Sequence, residues 1–386
     1  MKSWSRLLFC MVAIVTLAIM IVGCGPTENG ADAEDELVIA GACPMTGDGA
    51  QYGEFLSRSL ELAAEMINEK GGIEGKKIRI RMIDDQMLPS EAATVAEQLG
   101  VDDSVLAVVG HTTSTCTLAA VPIYDKYGLP VISHSSTNPD LSGSSKYFFR
   151  TCGTDEAFGY LGGEYAVKKL GAKKIVIMHA LSDGPTSYAN SFAKAVKDSG
   201  GEVLDILAHE DEEKDFTAEL TLLRSLNPDL VLLSTWFTPA AMIIKQAKEA
   251  NITGIEFMCM DSAYVVDFIE LGGEAVEDVI MSAFFHPDLP YPSAQEYISR
   301  FKEKYNEPPE WSGATAFDAL NLIAEAIRAN GASREGIRDY LSQVGKEIDP
   351  FQGVTGETAF DDNGDVIKPA VFIVVKDGEF KLAEVQ

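Results

Sequence analysis

Residues 110–137 read GHTTSTCTLAAVPIYDKYGLPVISHSST, and this stretch decides the fold class. An apolar run at 105–109 precedes it and stops at Gly110, where hydroxyl side chains begin. Apolar residues at helical spacing then lead to a second apolar run at 131–132, which is also followed by Ser and Thr. The pattern predicts strand, polar loop, helix, strand and polar loop, as in a parallel sheet joined by crossover helices.

The two hydroxyl-rich loops fall where ligands bind in sheets of this kind. Ligands lie beyond the carboxyl ends of parallel strands, where helix N-termini present unpaired backbone N–H groups. Ser114 has the side chain of an N-cap and can offer its hydroxyl to a small anion, while Thr137 and the backbone of Ser135 face it from the next loop. The alternative is that Ser114 and Thr137 only cap helices and turns.

The alternation of strands and helices continues along the chain and restarts after residue 150. Strand patterns fall at 37–42, 77–84 and 105–109, and then at 174–179, 203–207, 230–234, 257–260 and 279–283. The 386 residues suffice for two lobes. We therefore predict an α/β protein with two doubly wound, parallel-sheet lobes.

Several segments follow the second predicted sheet. Helical patterns at 294–305, 314–330 and 335–344 are expected to return to the first lobe, and strand patterns at 370–376 and 380–383 form a hairpin. Residues 361–365, DDNGD, suggest calcium, but the Gly that a calcium loop requires is missing. A plain turn and no metal are expected there.

The N-terminal segment has the features of an export signal. Lys2 and Arg6 flank the start of an apolar run at 7–22, which is too short to span a membrane. Residues 21–24, IVGC, resemble a bacterial lipobox, in which the cysteine is acylated and becomes the first mature residue. We predict a lipoprotein signal peptide at 1–23, lipidation of Cys24 and a flexible tether at 24–36. A simple cleaved signal is the alternative.

Charge and cysteine usage narrow the range of partners. The formal net charge is −28, and −30 without Lys2 and Arg6, which disfavours nucleic acid and anionic lipid surfaces as partners. The cysteines that remain beyond Cys24 fit no zinc pattern; they are Cys43, Cys116, Cys152 and Cys259. A disulfide between Cys43 and Cys116 and buried free thiols both stay open.

Over residues 37–386 the chain resembles the leucine/isoleucine/valine-binding proteins, the extracytoplasmic receptors of branched-chain amino-acid ABC transporters. The resemblance rests on motifs in a fixed order: AQYG (50–53), INEKGGIEGKKI (67–78), DD (84–85), GH (110–111), ISHSSTNPDL (132–141) and FQGVTGETAFDDNGD (351–365). It implies a type I periplasmic-binding-protein fold with two lobes joined by three crossings. The expected boundaries are 37–153 and 285–367 for lobe 1, and 154–284 and 368–386 for lobe 2.

The resemblance also implies roles for individual residues. Ser114 and Thr137 match side chains that hold the carboxylate and ammonium groups of an amino acid, with Ser135 contributing backbone groups. Asp261 matches the acid that pairs with the ammonium. Independently of the resemblance, an acid at one sheet rim facing hydroxyl and N–H donors at the other is complementary to a zwitterion. Capping of a helix near Ser262 is the alternative for Asp261.

Aromatic residues are expected to close over the ligand. Tyr52, Tyr188 and Trp236 match such positions, and ordinary packing is the alternative for Tyr188 and Trp236. The chain also departs from the family, because Thr112 and Thr113 replace more apolar neighbours of the site and Trp236 is bulkier than the Tyr often found.

These expectations describe a binding protein, not an enzyme. The glycines at 47–53 are spaced GxGxxxG, one residue too long for a dinucleotide fingerprint, and no nucleophile motif accompanies the histidines. We expect no cofactor, a small amino-acid ligand, ABC permease subunits as partners, a monomer, and export with a lipid anchor. A receptor for an amide, urea or aromatic acid, or a ligand-sensing protein, is the alternative.

Overall fold

The computed structural model, which describes residues 36–47, 49–289, 291–366 and 371–383, has two main sheets with helices packed against them. Strands form where apolar residues run continuously, and helices form where apolar residues recur every three or four positions. The helix after the first strand, for example, buries Leu56, Leu60, Ala63 and Ile67. It ends before Gly71 and Gly72, whose φ angles of 96° and 72° suit glycine.

Lobe 1 is built on a five-stranded sheet with strand order β2-β1-β3-β4-β5. Its β1–β3, β3–β4 and β4–β5 pairs are parallel. Its elements up to the first crossing are β1 (Glu36–Cys43), α1 (Ala50–Glu69), β2 (Lys77–Asp84), α2 (Pro89–Gly100), β3 (Val105–Gly110), α3 (Ser114–Tyr127), β4 (Val131–Ser133) and β5 (Phe148–Arg150).

Lobe 2 is built on a seven-stranded sheet with strand order β14-β13-β10-β9-β8-β6-β7. The pairs among β6 to β10 are parallel. Its elements up to the second crossing are α4 (Asp155–Lys168), β6 (Lys174–Ala180), α5 (Asp183–Asp198), β7 (Glu202–His209), α6 (Thr217–Leu226), β8 (Leu230–Ser234), α7 (Phe237–Glu249), β9 (Glu256–Cys259), α8 (Val266–Gly272) and β10 (Ile280–Ala283).

The rest of the chain returns to lobe 1 and then crosses again. The returning elements are α9 (Ala294–Tyr305), α10 (Trp311–Asn330), α11 (Arg334–Gln343), β11 (Phe351–Gly353) and β12 (Gly356–Thr358), followed by β13 (Val371–Lys376) and β14 (Glu379–Leu382) in lobe 2. Helices α9 and α10 pack against α1, and α11 packs against β3. The hairpin β13–β14 pairs antiparallel with β10 and covers that edge of the second sheet. The chain therefore passes between the sheets three times, and the predicted fold class is confirmed.

Two alternatives from the sequence are resolved by the structure. All four described cysteines are buried free thiols, so no disulfide joins Cys43 and Cys116. The DDNGD segment is a turn, in which the Asp361 carboxylate accepts hydrogen bonds from the backbone N–H groups of Asn363 and Asp365 at 2.8 and 3.0 Å. Across the described residues, no cluster of acidic, His or Cys side chains could hold a metal ion.

Cys24 and the predicted signal peptide lie outside the described residues. In the part of the chain that the structure describes, no helix combines the length and the apolar character needed to cross a bilayer.

Arg150, at the end of β5, holds the loop that follows β4. It is fully buried, and its Nε donates to the Asp365 carboxylate at 2.6 Å. Its Nη1 donates to the carbonyl oxygens of Ser136 and Asn138 at 3.1 and 2.9 Å, and its Nη2 donates to the Ser142 hydroxyl. One guanidinium thus fixes the backbone on both sides of residue 137.

We expect Arg150→Met to lower the free energy of unfolding by about 3–5 kcal/mol, because it leaves Asp365 as a buried, unpaired carboxylate. Urea denaturation followed by circular dichroism measures the change. The matched control is Lys304→Met, which breaks a partly exposed pair with Glu65 and should cost less than about 1 kcal/mol. Equal losses in the two variants would contradict the role given to Arg150.

Candidate functional site

The carboxyl ends of the two sheets line one cavity. From lobe 1 it is lined by the β3–α3 loop, the loop after β4, the start of α1 and the start of α10. From lobe 2 it is lined by the segments that follow β6, β8 and β9. Of the seven predicted ligand-binding residues, six line this cavity: Tyr52, Ser114, Ser135, Thr137, Trp236 and Asp261.

The wall formed by the start of α3 consists of hydroxyl side chains. Thr113 is the N-cap, and its hydroxyl oxygen accepts from the backbone N–H of Cys116 at 3.4 Å. Ser114 is therefore the first helical residue and not the cap that the sequence suggested, and its hydroxyl accepts from the backbone N–H of Asn138 at 3.2 Å. The hydroxyl of Thr112 is buried and has no hydrogen-bond partner.

A buried network holds this wall from behind. His111 lies between the Asp85 carboxylate, 2.6 Å from its Nδ1, and the Tyr124 hydroxyl, 2.9 Å from its Nε2. The Ser135 hydroxyl donates to the carbonyl oxygen of Thr112 at 2.7 Å, which joins the two ligand-facing loops of lobe 1. The donors that face the cavity are therefore fixed before any ligand arrives.

The opposite wall carries the carboxyl group of Asp261, which follows β9. Only 4% of this residue is exposed, and burial raises the pKa of its carboxyl to about 7, although the backbone N–H groups of Asp261 and Ser262 act in the opposite direction. Its Oδ1 atom has no hydrogen-bond partner. Asp261 starts a 3₁₀ turn without forming a side-chain cap, so capping does not account for its position.

Two aromatic rings meet across the cavity. The rings of Tyr52 and Trp236 are edge to face with centroids 6.2 Å apart. The Tyr52 hydroxyl donates to the carbonyl oxygen of Ser262 at 3.2 Å, and the Trp236 indole N–H donates to Asp211 at 3.1 Å. These bonds orient both rings and place a contact between the lobes beside the acid.

Tyr188 does not line the cavity, in contrast to the sequence-based expectation. It lies inside α5 and is fully buried, and its hydroxyl is 3.0 Å from the Ser282 hydroxyl. Its hydroxyl also lies so close to Gly162 that a Cβ there would be 2.8 Å away. Because α5 begins at Asp183, Tyr188 falls on the face that packs against α4 and the sheet, so the packing alternative is correct.

Residues just before or at the start of α5 reach the cavity instead: Ser182, Gly184 and Pro185. They follow β6 directly, as Ser114 follows β3. This position after a strand is the signal that would have identified them.

The start of α10 adds a second acid that the sequence analysis missed. Glu310 lines the cavity and is the N-cap of α10; its carboxylate accepts from the backbone N–H groups of Ser312 and Gly313 and from the Ser312 hydroxyl. Burial raises the pKa of Glu310 to about 7. The Trp311 indole N–H donates to the carbonyl oxygen of Asp261 at 3.3 Å. The helix predicted from the sequence began at residue 314. It therefore left out Glu310, Trp311 and Ser312, all of which line the cavity.

A third buried acid, Asp155, lies at the first crossing between the lobes. Its backbone N–H donates to the carbonyl oxygen of Thr137 at 2.7 Å. Burial raises the pKa of Asp155 well above its ordinary value, the Thr137 hydroxyl beside it acts in the opposite direction, and the negative charge of Asp261 adds to the rise. Three carboxyl groups whose pKa values are raised by burial therefore lie at or near the cavity: Asp155, Asp261 and Glu310.

The chain is similar to known proteins over most of its length. A sequence model of the family described as periplasmic binding protein matches residues 36–379. A leucine-, isoleucine-, valine-, threonine- and alanine-binding protein of Pseudomonas aeruginosa is 29% identical over 338 residues, which cover 86% of this chain and 88% of that protein.

Two solved structures are similar over nearly their whole length. A leucine binding protein, LivK, of Thermotoga maritima has a TM-score of 0.84 and 29% identity, covering 90% of this chain and 98% of that one. The branched-chain amino-acid transporter substrate-binding protein LivJ of Streptococcus pneumoniae, solved with isoleucine, has a TM-score of 0.83 and 28% identity, covering 90% and 99%.

Proposed function

We propose, from the premise that the chain belongs to the periplasmic binding protein family, that it binds an amino acid in the cavity between its lobes. The family consists of exported substrate-binding proteins and not of enzymes. The observation that carries the proposal is the unpaired, buried Oδ1 atom of Asp261, which lines the same cavity as the hydroxyls of lobe 1.

The lobe 1 wall suits the carboxylate of the ligand. The first N–H groups of α3 have no acceptor within the helix and carry the positive end of its dipole. We assign the carboxylate to these groups, with the hydroxyls of Ser114 and Thr137 and the backbone of Ser135. No Lys, Arg or His lines the cavity in the described chain, so the carboxylate would be held by neutral donors.

The lobe 2 wall suits the ammonium. Asp261 supplies an acceptor that has lost its water and has gained no protein partner, which is a costly state that a cation relieves. Tyr52 and Trp236 then cover the ligand from the two lobes. A neutral amide, urea or an aromatic acid would leave the Asp261 charge unpaired, and this distinguishes the amino acid from the other ligand classes.

We expect Asp261→Asn to reduce amino-acid affinity at least about 30-fold, because removing one partner of a buried charge pair costs about 2–5 kcal/mol. A thermal-shift panel of L-amino acids, acetamide, urea and benzoate first selects the L-amino acid that gives the largest shift. Isothermal titration calorimetry then measures the dissociation constant of that amino acid for the wild type and the variant.

Asp278→Asn is the matched control, because it makes the same change on an exposed position of lobe 2. Unchanged affinity in Asp261→Asn, or binding of only the amide, urea or benzoate, would reject the amino-acid proposal.

Binding should weaken as the pH falls through 7. In the free protein the pKa of Asp261 is raised to about 7, and the ligand's ammonium stabilises the ionised form and lowers that pKa in the complex. Affinity is therefore full above about pH 8 and falls by up to about tenfold per pH unit below 7, until the pKa of the complex is reached. Asp155 and Glu310, whose pKa values are also raised, act in the same direction.

Calorimetry at pH 8, 7 and 6, in buffers of different ionisation enthalpy, measures both the affinity and the protons released. Constant affinity over this range would show that Asp261 is already ionised at pH 6, and affinity that rises on acidification would contradict its role as the acceptor of the ammonium.

We further propose that the protein is anchored by lipid on Cys24 and delivers its ligand to an ABC permease. The lipobox-like IVGC at 21–24 and the acidic, aromatic-free segment that follows it support the anchor. Mass spectrometry of the N-terminal peptide from cells that process lipoproteins should show a diacylglyceryl group on Cys24. A mature N-terminus elsewhere, with an unmodified thiol, would contradict it.

A further inference from the structure

The charges that line the cavity exceed what a simple zwitterion can balance. Asp261 and Glu310 both contribute carboxyl groups, one from each lobe, and no basic side chain lines the cavity within the described residues. If the amino-acid proposal holds, the ligand's own carboxylate is held by neutral N–H and hydroxyl donors. Its single ammonium can then pair with only one of the two protein carboxylates.

The carboxyl groups of Asp261 and Glu310 differ in the hydrogen bonds that they already make. Asp261 follows β9 and has a free acceptor atom, whereas Glu310 already caps α10. The cap uses three donors, and an ionised carboxylate has about four acceptor sites, so Glu310 keeps capacity for one more donor. Glu310 is also less buried than Asp261 and faces the cavity. It is therefore placed to meet a ligand.

Three aromatic side chains also line the cavity. Tyr52, Trp236 and Trp311 line the cavity together, and the Trp311 indole N–H bonds to the backbone of Asp261. Aromatic faces attract cations, by about 2 kcal/mol or more when water is excluded. Carboxylates between aromatic rings, in a chain of formal charge −28, favour a cationic ligand both at the site and during its approach.

We propose that the ligand is an amino acid with a second cationic group on its side chain, in which Asp261 pairs with the α-ammonium and Glu310 pairs with the side-chain cation. The inference rests on the proposed amino-acid binding and adds the class of side chain. An aliphatic side chain would pack against the same rings but would leave the Glu310 carboxylate with only the donors of its helix cap and with no cation.

The test compares ligands that differ only in the terminal amino group. L-Ornithine is matched with L-norvaline and L-lysine with L-norleucine, and each dissociation constant is measured by calorimetry on the full mature protein at pH 8. We expect at least one diamino acid to bind ten or more times more tightly than its neutral match. In Glu310→Gln, which retains an oxygen for the helix cap, that preference should fall to less than threefold.

Glu307→Gln is the matched control, because Glu307 pairs with Arg58 away from the cavity, and it should keep the preference of the wild type. If the neutral amino acids bind as tightly as the diamino acids, the inference is overturned while amino-acid binding stands. If none of the four binds and none of the other L-amino acids does, the proposed function itself fails. Should Glu310→Gln not fold, the comparison of matched ligands on the wild type decides the question alone.

Discussion

The dominant constraint in this structure is the buried carboxyl group of Asp261, one of whose oxygen atoms has no hydrogen-bond partner. Placing Asp261 after β9, with one oxygen unpaired, lowers the stability of the fold. Other features of the lobes offset this loss: the packing of helices on the sheets, the three chain crossings and the covered edge of the second sheet. In the proposed complex the ligand's ammonium pairs with this carboxyl group, and the cost is recovered as binding free energy.

The lobe 1 wall of the cavity is rigid because buried side chains hold its loops. The β3–α3 loop is held by the Asp85–His111–Tyr124 network, and the loop after β4 is held by Arg150. Polar groups that are fully paired in the interior lose little entropy when a ligand binds. The loops of lobe 1 are thus held in place by these bonds, whereas Asp261 in lobe 2 keeps an unpaired oxygen, and in the proposed complex this difference sets the orientation of the ligand.

The sequence predicted the fold class, and six of the seven residues proposed to bind the ligand line the cavity, because both follow largely from strand ends. Ser114, Thr137, Trp236 and Asp261 all come soon after apolar strands, and parallel strands bring their carboxyl ends together. Tyr188 does not line the cavity as expected, because the sequence did not locate the start of α5. The side of the helix on which Tyr188 lies could therefore not be predicted. Glu310 was missed for the same reason, since helix ends are the least certain part of a periodic pattern. Choosing between Thr113 and Ser114 as the cap needs backbone angles, because both carry hydroxyls.

The two hydrogen bonds that link α1 and α10 to the turn at 261–262 end on main-chain carbonyl oxygens, from Tyr52 and Trp311. A main-chain acceptor persists whatever side chain its residue carries. Replacement of residue 261 or 262 during evolution can therefore change which ligand is recognised without dismantling the bridge between the lobes. In such an arrangement the ligand specificity can change during evolution while the hydrogen bonds that join the two lobes are kept.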